Sequence, residues 1–145
     1  MNVFRIERVT GVGAFISRLH DDALAYVYDR EQMLDQNHSA FDMPTPYDGK
    51  EKGTALYKEA ETVGFGEKKF AFQSLELLSK VFRCPVGRKA MQESGGRLAV
   101  YKVKPSHVVH GNWQCVFVPK GAKMIQVLDL ETFEEIPCES AQDVQ

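Results

Sequence analysis

Residues 97–130 read RLAVYKVKPSHVVHGNWQCVFVPKGAKMIQVLDL, and this stretch decides the predicted fold class. Three segments within it, 97–103, 112–118 and 123–130, alternate or run apolar, which is typical of β-strands. Turn-forming residues, including Pro105 and Pro119, separate the three segments. The pattern therefore predicts an antiparallel meander in this part of the chain.

Two shorter stretches upstream also have strand character. Residues 2–8 alternate, with Phe4 and Ile6 on one predicted face and charged residues between them, which is the period of a half-buried strand. Residues 69–72 predict a second brief strand. Together with the later segments, these stretches predict five to six strands.

Apolar residues recur at helical spacing between the early and late strands. Residues 20–36 carry one apolar stripe, and the hydroxyls of Thr54 and Ser74 are each placed to cap a following helix. A short polar helix is predicted over 88–94. Three to four helices, most of them clustered mid-chain, combine with the strands to predict an α+β fold with a mostly antiparallel sheet.

Residues 37–53 are predicted to form a long loop. They include Pro44, Pro46 and Gly49, which supply turn geometry or remove backbone donors. A loop of this length inside a small domain is usually functional or mobile.

Size and charge indicate one domain with a distinct end. The chain has 145 residues, of which 43% are hydrophobic and 26% charged, and this suits a single globular domain over 1–130. Residues 131–145 contain five acidic residues and no Lys or Arg, so they carry −5 and the preceding residues carry +3. We interpret 131–145 as an acidic C-terminal tail, either a solvated terminus or an arm that meets the basic body or a partner.

Several classes of protein are excluded by composition. There is no run of about 18 apolar residues, and charged residues interrupt the N-terminus, so neither a membrane span nor a secretory signal is predicted. Cys84, Cys115 and Cys138 are too scattered for a disulfide framework. The net charge of −2 argues against a strongly basic nucleic-acid binder. We expect a soluble, cytosolic protein.

Motifs for metal or phosphate chemistry are weak. His107, His110 and Cys115 lack the dense spacing of a zinc site, so we predict no metal. Gly11-Val-Gly13 follows a strand but lacks the continuation of a phosphate-binding loop, and a turn is favoured. Cys115 lies in an apolar strand and is interpreted as a buried, inert thiol.

The middle of the chain combines basic and aromatic side chains, a pairing that can bind single-stranded nucleic acid. The competing interpretation is a solvated basic face over a packed core. The residues concerned are Lys68, Lys69, Arg83, Arg88, Lys89 and Arg97, with Phe65, Phe70, Phe72 and Phe82.

Three polar residues are placed where a sheet could bring them together. They are Arg5 in the first strand, Ser74 at the entry to a helix and Gln114 in a late strand. An arginine can grip a phosphate, while hydroxyl and amide groups can orient a sugar. The alternative is that the three are separate surface residues.

Short motifs spread over most of the chain resemble a widespread group of small, mostly uncharacterised proteins of bacteriophages and prophages. The motifs are VFRIER (3–8), GVGAF (11–15), NHS (37–39), MPTPYD (43–48), FAFQSLELL (70–78), Phe82, VYKV (100–103) and QCVF (114–117). The resemblance implies an accessory protein in the cytoplasm of a bacterial host. It predicts a partner that is a host protein or protein complex, such as a defence system, which the protein binds and inhibits.

The order of Arg5, Ser74 and Gln114 is also similar to the motifs of ADP-ribosyltransferases. This second resemblance implies that Arg5 contacts the phosphates of NAD, Ser74 braces the nicotinamide ribose and Gln114 occupies the catalytic position. Those enzymes have a glutamate there, whereas a glutamine accepts a hydrogen bond without supplying charge. An NAD-dependent transferase, a pseudoenzyme with that fold and a nucleic-acid binder therefore stand as alternatives to the host-binding hypothesis.

Overall fold

A computed structural model describes residues 1–15, 23–32 and 39–136. The strands are β1 (Asn2–Arg8), β2 (Lys69–Ala71), β3 (Gly96–Lys102), β4 (Val108–His110), β5 (Cys115–Phe117) and β6 (Lys123–Leu128). The α-helices are α1 (Leu24–Glu31), α2 (Ala55–Thr62), α3 (Leu75–Val81) and α4 (Pro85–Glu93). These elements confirm the predicted α+β class.

The strands form two antiparallel sheets of three strands each, in the orders β1-β3-β6 and β2-β5-β4. The predicted meander is therefore wrong, because β5 leaves the sheet that holds β3 and β6. A short 3-10 turn at Pro105–His107 leads directly into β4, and β4 pairs with β5 as a hairpin. β4 thus lies in a segment that was predicted to be a loop between strands. The chain returns to the edge of β3 only after this hairpin is complete.

The two sheets meet at β1. This strand pairs with β3 along its whole length, from Asn2 opposite Lys102 to Arg8 opposite Gly96. On its other edge Phe4 exchanges two backbone hydrogen bonds of 2.8 Å with Phe72, directly after β2. The first strand thus belongs to one sheet and anchors the other.

The core has two parts, one on each face of the β1-β3-β6 sheet. Ile6 and Leu98 pack with residues of the helices, including Tyr28, whose ring contacts Phe82 edge-on at 5.1 Å. A smaller cluster contains Val3 together with residues of the second sheet. Alternation along β1 places its side chains in both clusters.

Both predicted helix caps are confirmed. Thr54 Oγ1 accepts a hydrogen bond from the backbone N–H of Tyr57, and Ser74 Oγ accepts one from Leu77, each at 3.1 Å. The fourth helix begins at Pro85, before its predicted start, because proline suits the first turn of a helix.

The segments predicted as a loop and a tail are partly described. Residues 39–53 contain two 3-10 turns, Ala40–Asp42 and Gly49–Glu51. The residue directly before each turn caps it with a side-chain hydrogen bond. Residues 37 and 38 of the predicted loop, 137–145 of the predicted tail, and parts of the predicted 20–36 helix lie outside the described residues.

Residues 130–133 are held against the helices by Arg88. Its guanidinium donates to the carbonyl oxygens of Leu130 (2.6 Å), Phe82 (2.9 Å) and Glu131 (2.8 Å). The Phe133 ring centroid lies 4.4 Å from its Cζ, and burial lowers the pKa of the guanidinium. Arg88 is therefore an internal cation and not part of a solvated basic face.

Within the described ranges, none of the helices combines the length and apolar character needed to cross a membrane.

Helices α1 and α4 pack closely at Gly87. A Cβ atom there would lie 2.6 Å from Cδ2 of Tyr28, whose hydroxyl is fixed by accepting the N–H of Cys84 at 2.9 Å. We expect Gly87→Ala to lower the free energy of unfolding by about 1–3 kcal/mol, because the ring has to move. Urea denaturation measures the loss, with Lys89→Ala, an exposed residue of the same helix, as the control. Equal midpoints for both variants would contradict this packing.

Candidate functional site

A cleft of about 1140 Å³ opens between the end of β1, helix α1 and strand β2. Residues 10–15, which follow β1, form one of its walls, and residues 39–46 form another. Its lining is mainly apolar, with a few polar side chains that include Arg5 and Gln114. Large concave surfaces of this composition are the usual sites of ligand binding.

Aromatic rings in mutual contact form much of the lining. Phe41 packs against Tyr26 and Phe15, with ring centroids 4.5 and 5.4 Å apart, and Phe15 lies 5.6 Å from Phe82. Phe72 contacts the same Phe82 ring at 6.4 Å. These residues come from five separate parts of the sequence, so only the tertiary fold assembles them.

Arg5 is held rigidly in the cleft by β1 and its surroundings. Its Nη1 donates to the carbonyl of Phe70 at 2.7 Å, and its Nη2 donates to that of Gly11 at 2.9 Å. A Cβ on Gly13 would lie 3.0 Å from Nη2, so the turn can close over the guanidinium because this residue is glycine.

Glu7 completes the arrangement around Arg5. Its carboxylate has no exposed surface, and it accepts hydrogen bonds from Arg5 Nε (3.0 Å), Arg97 Nη2 (2.9 Å) and the Tyr101 hydroxyl (2.9 Å). Burial and the charge of Glu7 raise the pKa of Tyr101 to about 12. Two guanidinium groups share one carboxylate, which leaves one positive charge on this group of residues.

Gln114 links the cleft to the segment at residues 39–46. Its side chain is buried, and its Nε2 donates to the carbonyl of Pro44 at 2.8 Å. The neighbouring Asn112 donates through Nδ2 to the carbonyl of Lys50 at 3.0 Å. The loop after β4 therefore binds the wall of the cleft at Pro44 and the segment that follows this wall at Lys50.

Glu51 makes the third attachment between these segments. Its fully buried carboxylate accepts the backbone N–H groups of Asn112 at 2.9 Å and Trp113 at 3.1 Å. A Cβ on Gly111 would lie 1.9 Å from Oε2, so only glycine fits beside the carboxylate. Burial raises the pKa of Glu51, and the two N–H groups partly oppose that shift.

The three residues predicted to converge are only partly brought together. Arg5 and Gln114 both line the cleft, whereas the hydroxyl of Ser74 caps α3 and is not among the described lining residues. The roles implied by the ADP-ribosyltransferase resemblance remain predictions. The sequence reading did not identify Glu7 or Glu51 as buried anchors, because the donors that surround them come mostly from distant parts of the chain.

The other candidate residues occupy structural positions. Cys115 is fully buried in β5, and burial raises the pKa of its thiol to about 12, which disfavours the thiolate. His107 lies in the 3-10 turn before β4, and His110 ends that strand. Among the described residues, no group of three or more His, Cys, Asp or Glu side chains is arranged to hold a metal ion.

The described acidic residues in and near the cleft, Asp29 and Glu7, both accept hydrogen bonds from neighbouring groups. Asp29 lines the cleft, but its oxygens accept from Ser39 Oγ at 2.5 Å and the Ala40 N–H at 2.9 Å. Glu7 is enclosed by the three side chains that donate hydrogen bonds to it. The arrangement of the described residues therefore suits binding and orientation better than acid–base or nucleophilic chemistry.

Glu7 is the buried charge on which this site depends. We expect Glu7→Gln to lower the free energy of unfolding by about 3 kcal/mol, because Arg5 and Arg97 lose their common counter-charge. Chemical denaturation measures the effect, and Glu76→Gln, an exposed carboxylate on α3, is the control. A loss no larger than that of the control would show that the cluster does not stabilise the fold.

The raised pKa of Glu51 gives a pH dependence with a defined sign. Its protonated form is favoured in the folded state, so its contribution to stability is complete below the unfolded-state pKa and is lost as pH rises through the folded-state pKa. We expect the free energy of unfolding of the wild type, relative to Glu51→Gln, to fall as pH rises above the ordinary glutamate pKa of 4.5.

Urea unfolding at several pH values measures this difference for Glu51→Gln and for the control Glu61→Gln, an exposed carboxylate on α2. The control should show no such trend. A difference for Glu51→Gln that grows with pH would reverse the assigned direction of the pKa shift.

Comparison with known proteins places this fold and cleft in a family context. No match was found among curated proteins or among solved structures. Residues 1–131 match a family model described as "Bacteriophage T4 Y00F protein". The match takes in both sheets, all four described helices and every described residue that lines the cleft, which agrees with the predicted resemblance to small phage proteins. The chain therefore belongs to the bacteriophage T4 Y00F protein family.

Proposed function

We propose that this phage-family protein is an accessory protein that binds and inhibits a protein complex of the bacterial host, such as a defence system. The contact surface in this proposal is the mouth of the cleft. Membership of a phage protein family supports an accessory role, and the surface around the cleft supports a binding role.

The clustering of exposed apolar side chains carries the proposal. Phe41 and Phe70 are large, exposed and part of the cleft lining. Val9 and Tyr47 are also exposed, and each adjoins a residue that lines the cleft. Contiguous exposed apolar surface on a small protein usually marks an interaction site.

The firm attachment of this surface also favours binding. The segment that bears Phe41 and Tyr47 is held by Gln114, Asn112 and Glu51 through the hydrogen bonds described above. A surface that is ordered before association loses less conformational entropy when a partner binds. A preorganised apolar mouth is therefore suited to tight association.

The NAD-dependent ADP-ribosyltransferase alternative has weaker support. The positions of Arg5 and Gln114 in one cleft favour it, but Ser74 serves as a helix cap and Gln114 offers no charge for the reacting sugar. Three N–H groups of Arg5 already donate hydrogen bonds to Glu7, Phe70 and Gly11. We therefore rank a transferase below a binding protein.

The nucleic-acid alternative is weakened by the partners of its basic residues. Lys68 forms an ion pair with Glu59, Arg97 pairs with Glu7, and Arg88 is buried. Half of the six basic residues that suggested this function are thus neutralised or enclosed. Phosphate contacts require accessible cations, so this alternative ranks below the host-protein contact.

Affinity capture from bacterial lysate at cellular salt tests the proposal. We expect a stoichiometric protein partner whose activity falls when the purified phage protein is added. Tyr47→Ser should weaken capture about tenfold or more, because an exposed tyrosine at an interface is a frequent energetic centre. Val63→Ser is the control and should retain the partner, because Val63 is similarly exposed and apolar but, unlike Tyr47, does not adjoin a residue of the cleft lining in the sequence.

Two results would oppose this function. One is the absence of any stoichiometric partner from a lysate of the phage's host. The other is a partner whose capture is weakened equally by Tyr47→Ser and Val63→Ser, since it would not bind at the cleft mouth.

A further inference from the structure

We propose that the interior of the cleft binds a small aromatic anion that also carries a hydrogen-bond donor. This site lies inside the surface assigned to the host partner and is a separate activity. Its size, aromatic lining, charge and open acceptor each specify one property of the ligand.

The volume and the aromatic lining of the cleft suit an aromatic molecule. Its volume of about 1140 Å³ is ample for a compound of drug-like size. Phe15, Tyr26 and Phe41 present a continuous series of ring contacts along the lining, and Phe72 and Phe82 extend it inward. Such surfaces favour stacked or edge-on packing of another ring.

The charge at Arg5 specifies an anion. A guanidinium has five N–H groups, and the described residues accept from three of those on Arg5. Glu7 neutralises one of the two guanidinium groups that it contacts, so Arg5 and Arg97 retain one positive charge between them. The remaining N–H groups of Arg5 can form charge-assisted hydrogen bonds with an anionic group.

Among the described lining residues Asp29 is the acidic one, and its charge has to be compared with that of Arg5. Its two oxygens already accept from Ser39 and Ala40, which tie α1 to the segment 39–46. These two donors are neutral, so Asp29 keeps its negative charge on the α1 side of the cleft. The anionic group of the ligand is therefore placed at Arg5, whose remaining N–H groups can donate to it.

Gln114 specifies the hydrogen-bond donor. Only 4% of this residue is exposed, and its bond to the carbonyl of Pro44 fixes which end of the amide is the nitrogen. Its Oε1 accepts no hydrogen bond from the residues that the structure describes. Because Gln114 lines the cleft, an N–H or O–H group of a ligand can donate to this oxygen.

A matched pair of fluorescent dyes tests this site on the purified protein. 8-Anilinonaphthalene-1-sulfonate carries an aromatic system, an N–H donor and an anionic group, and N-phenyl-1-naphthylamine lacks only the sulfonate. We expect the sulfonate dye to bind about tenfold more tightly, with a preference that shrinks as salt is added. Equal affinities would overturn the assignment of an anion site.

Substitutions then locate the bound dye. Phe41→Ala should weaken both dyes at least several-fold, because it removes one ring of the lining, whereas Ile125→Ala, of similar exposure but outside the cleft lining, should change neither. Arg5→Met should abolish the preference for the sulfonate dye. Near-ultraviolet circular dichroism checks that each variant is folded.

If Arg5→Met fails to fold, the wild-type dye comparison and the Phe41→Ala result still decide the proposal. Dye binding that survives Phe41→Ala unchanged places the dye elsewhere and overturns it. These measurements contain no host component, so their failure leaves the proposed host contact standing, and a failed capture experiment leaves the ligand site standing.

Discussion

The buried carboxylate of Glu7 is the constraint on which the rest of the structure depends. Three side chains from β1 and β3 donate to it, and one of them, Arg5, also donates to the turn after β1 and to the backbone of β2. Ionised groups are rarely buried without such compensation, since the loss of hydration has to be offset by opposite charge and hydrogen bonds. The fold meets that requirement at the place where its two sheets are joined.

A second buried acidic residue lies in the segment 39–53. Glu51 has no exposed surface and binds two consecutive backbone N–H groups, at Asn112 and Trp113. Glu7 joins side chains of β1 and β3, whereas Glu51 joins its segment to the loop between β4 and β5. In both places a buried acidic side chain connects parts of the chain that are distant in the sequence.

Local features of the structure can be predicted from the sequence, whereas contacts between distant segments cannot. The caps at Thr54 and Ser74 follow from residues that are close together in the sequence, and the structure has both. Residues 2–8 form a strand as predicted, but the prediction that the strand is half-buried is wrong, because β1 is covered on both faces and Arg5 and Glu7 are buried. The pairing of β5 within the second sheet depends on which strand edges are open. The alternation of polar and apolar residues does not indicate which edges those are. The sequence predicts the long loop 37–53, but it does not identify the residues that hold the described part, 39–53, in place.

The cleft illustrates the same limit. Two of its polar residues, Arg5 and Gln114, could be nominated because residue type and predicted strand position made them candidates. Its aromatic lining could not, since Phe15, Tyr26 and Phe41 lie on three segments whose mutual approach is set by tertiary contacts. A buried glutamate also looks the same in sequence as an exposed one.

The pairing of β1 with β3 has a consequence for biosynthesis. Asn2 lies opposite Lys102, so the first strand has no partner in its sheet until about a hundred residues have been made, which takes roughly 5–20 s at ordinary rates of translation. During that interval an alternating strand with free edges is exposed to aggregation with other nascent chains. Arg5 and Glu7 interrupt its apolar residues, and charged residues in such positions oppose aggregation. The two charges that stabilise the folded protein therefore also protect the nascent chain.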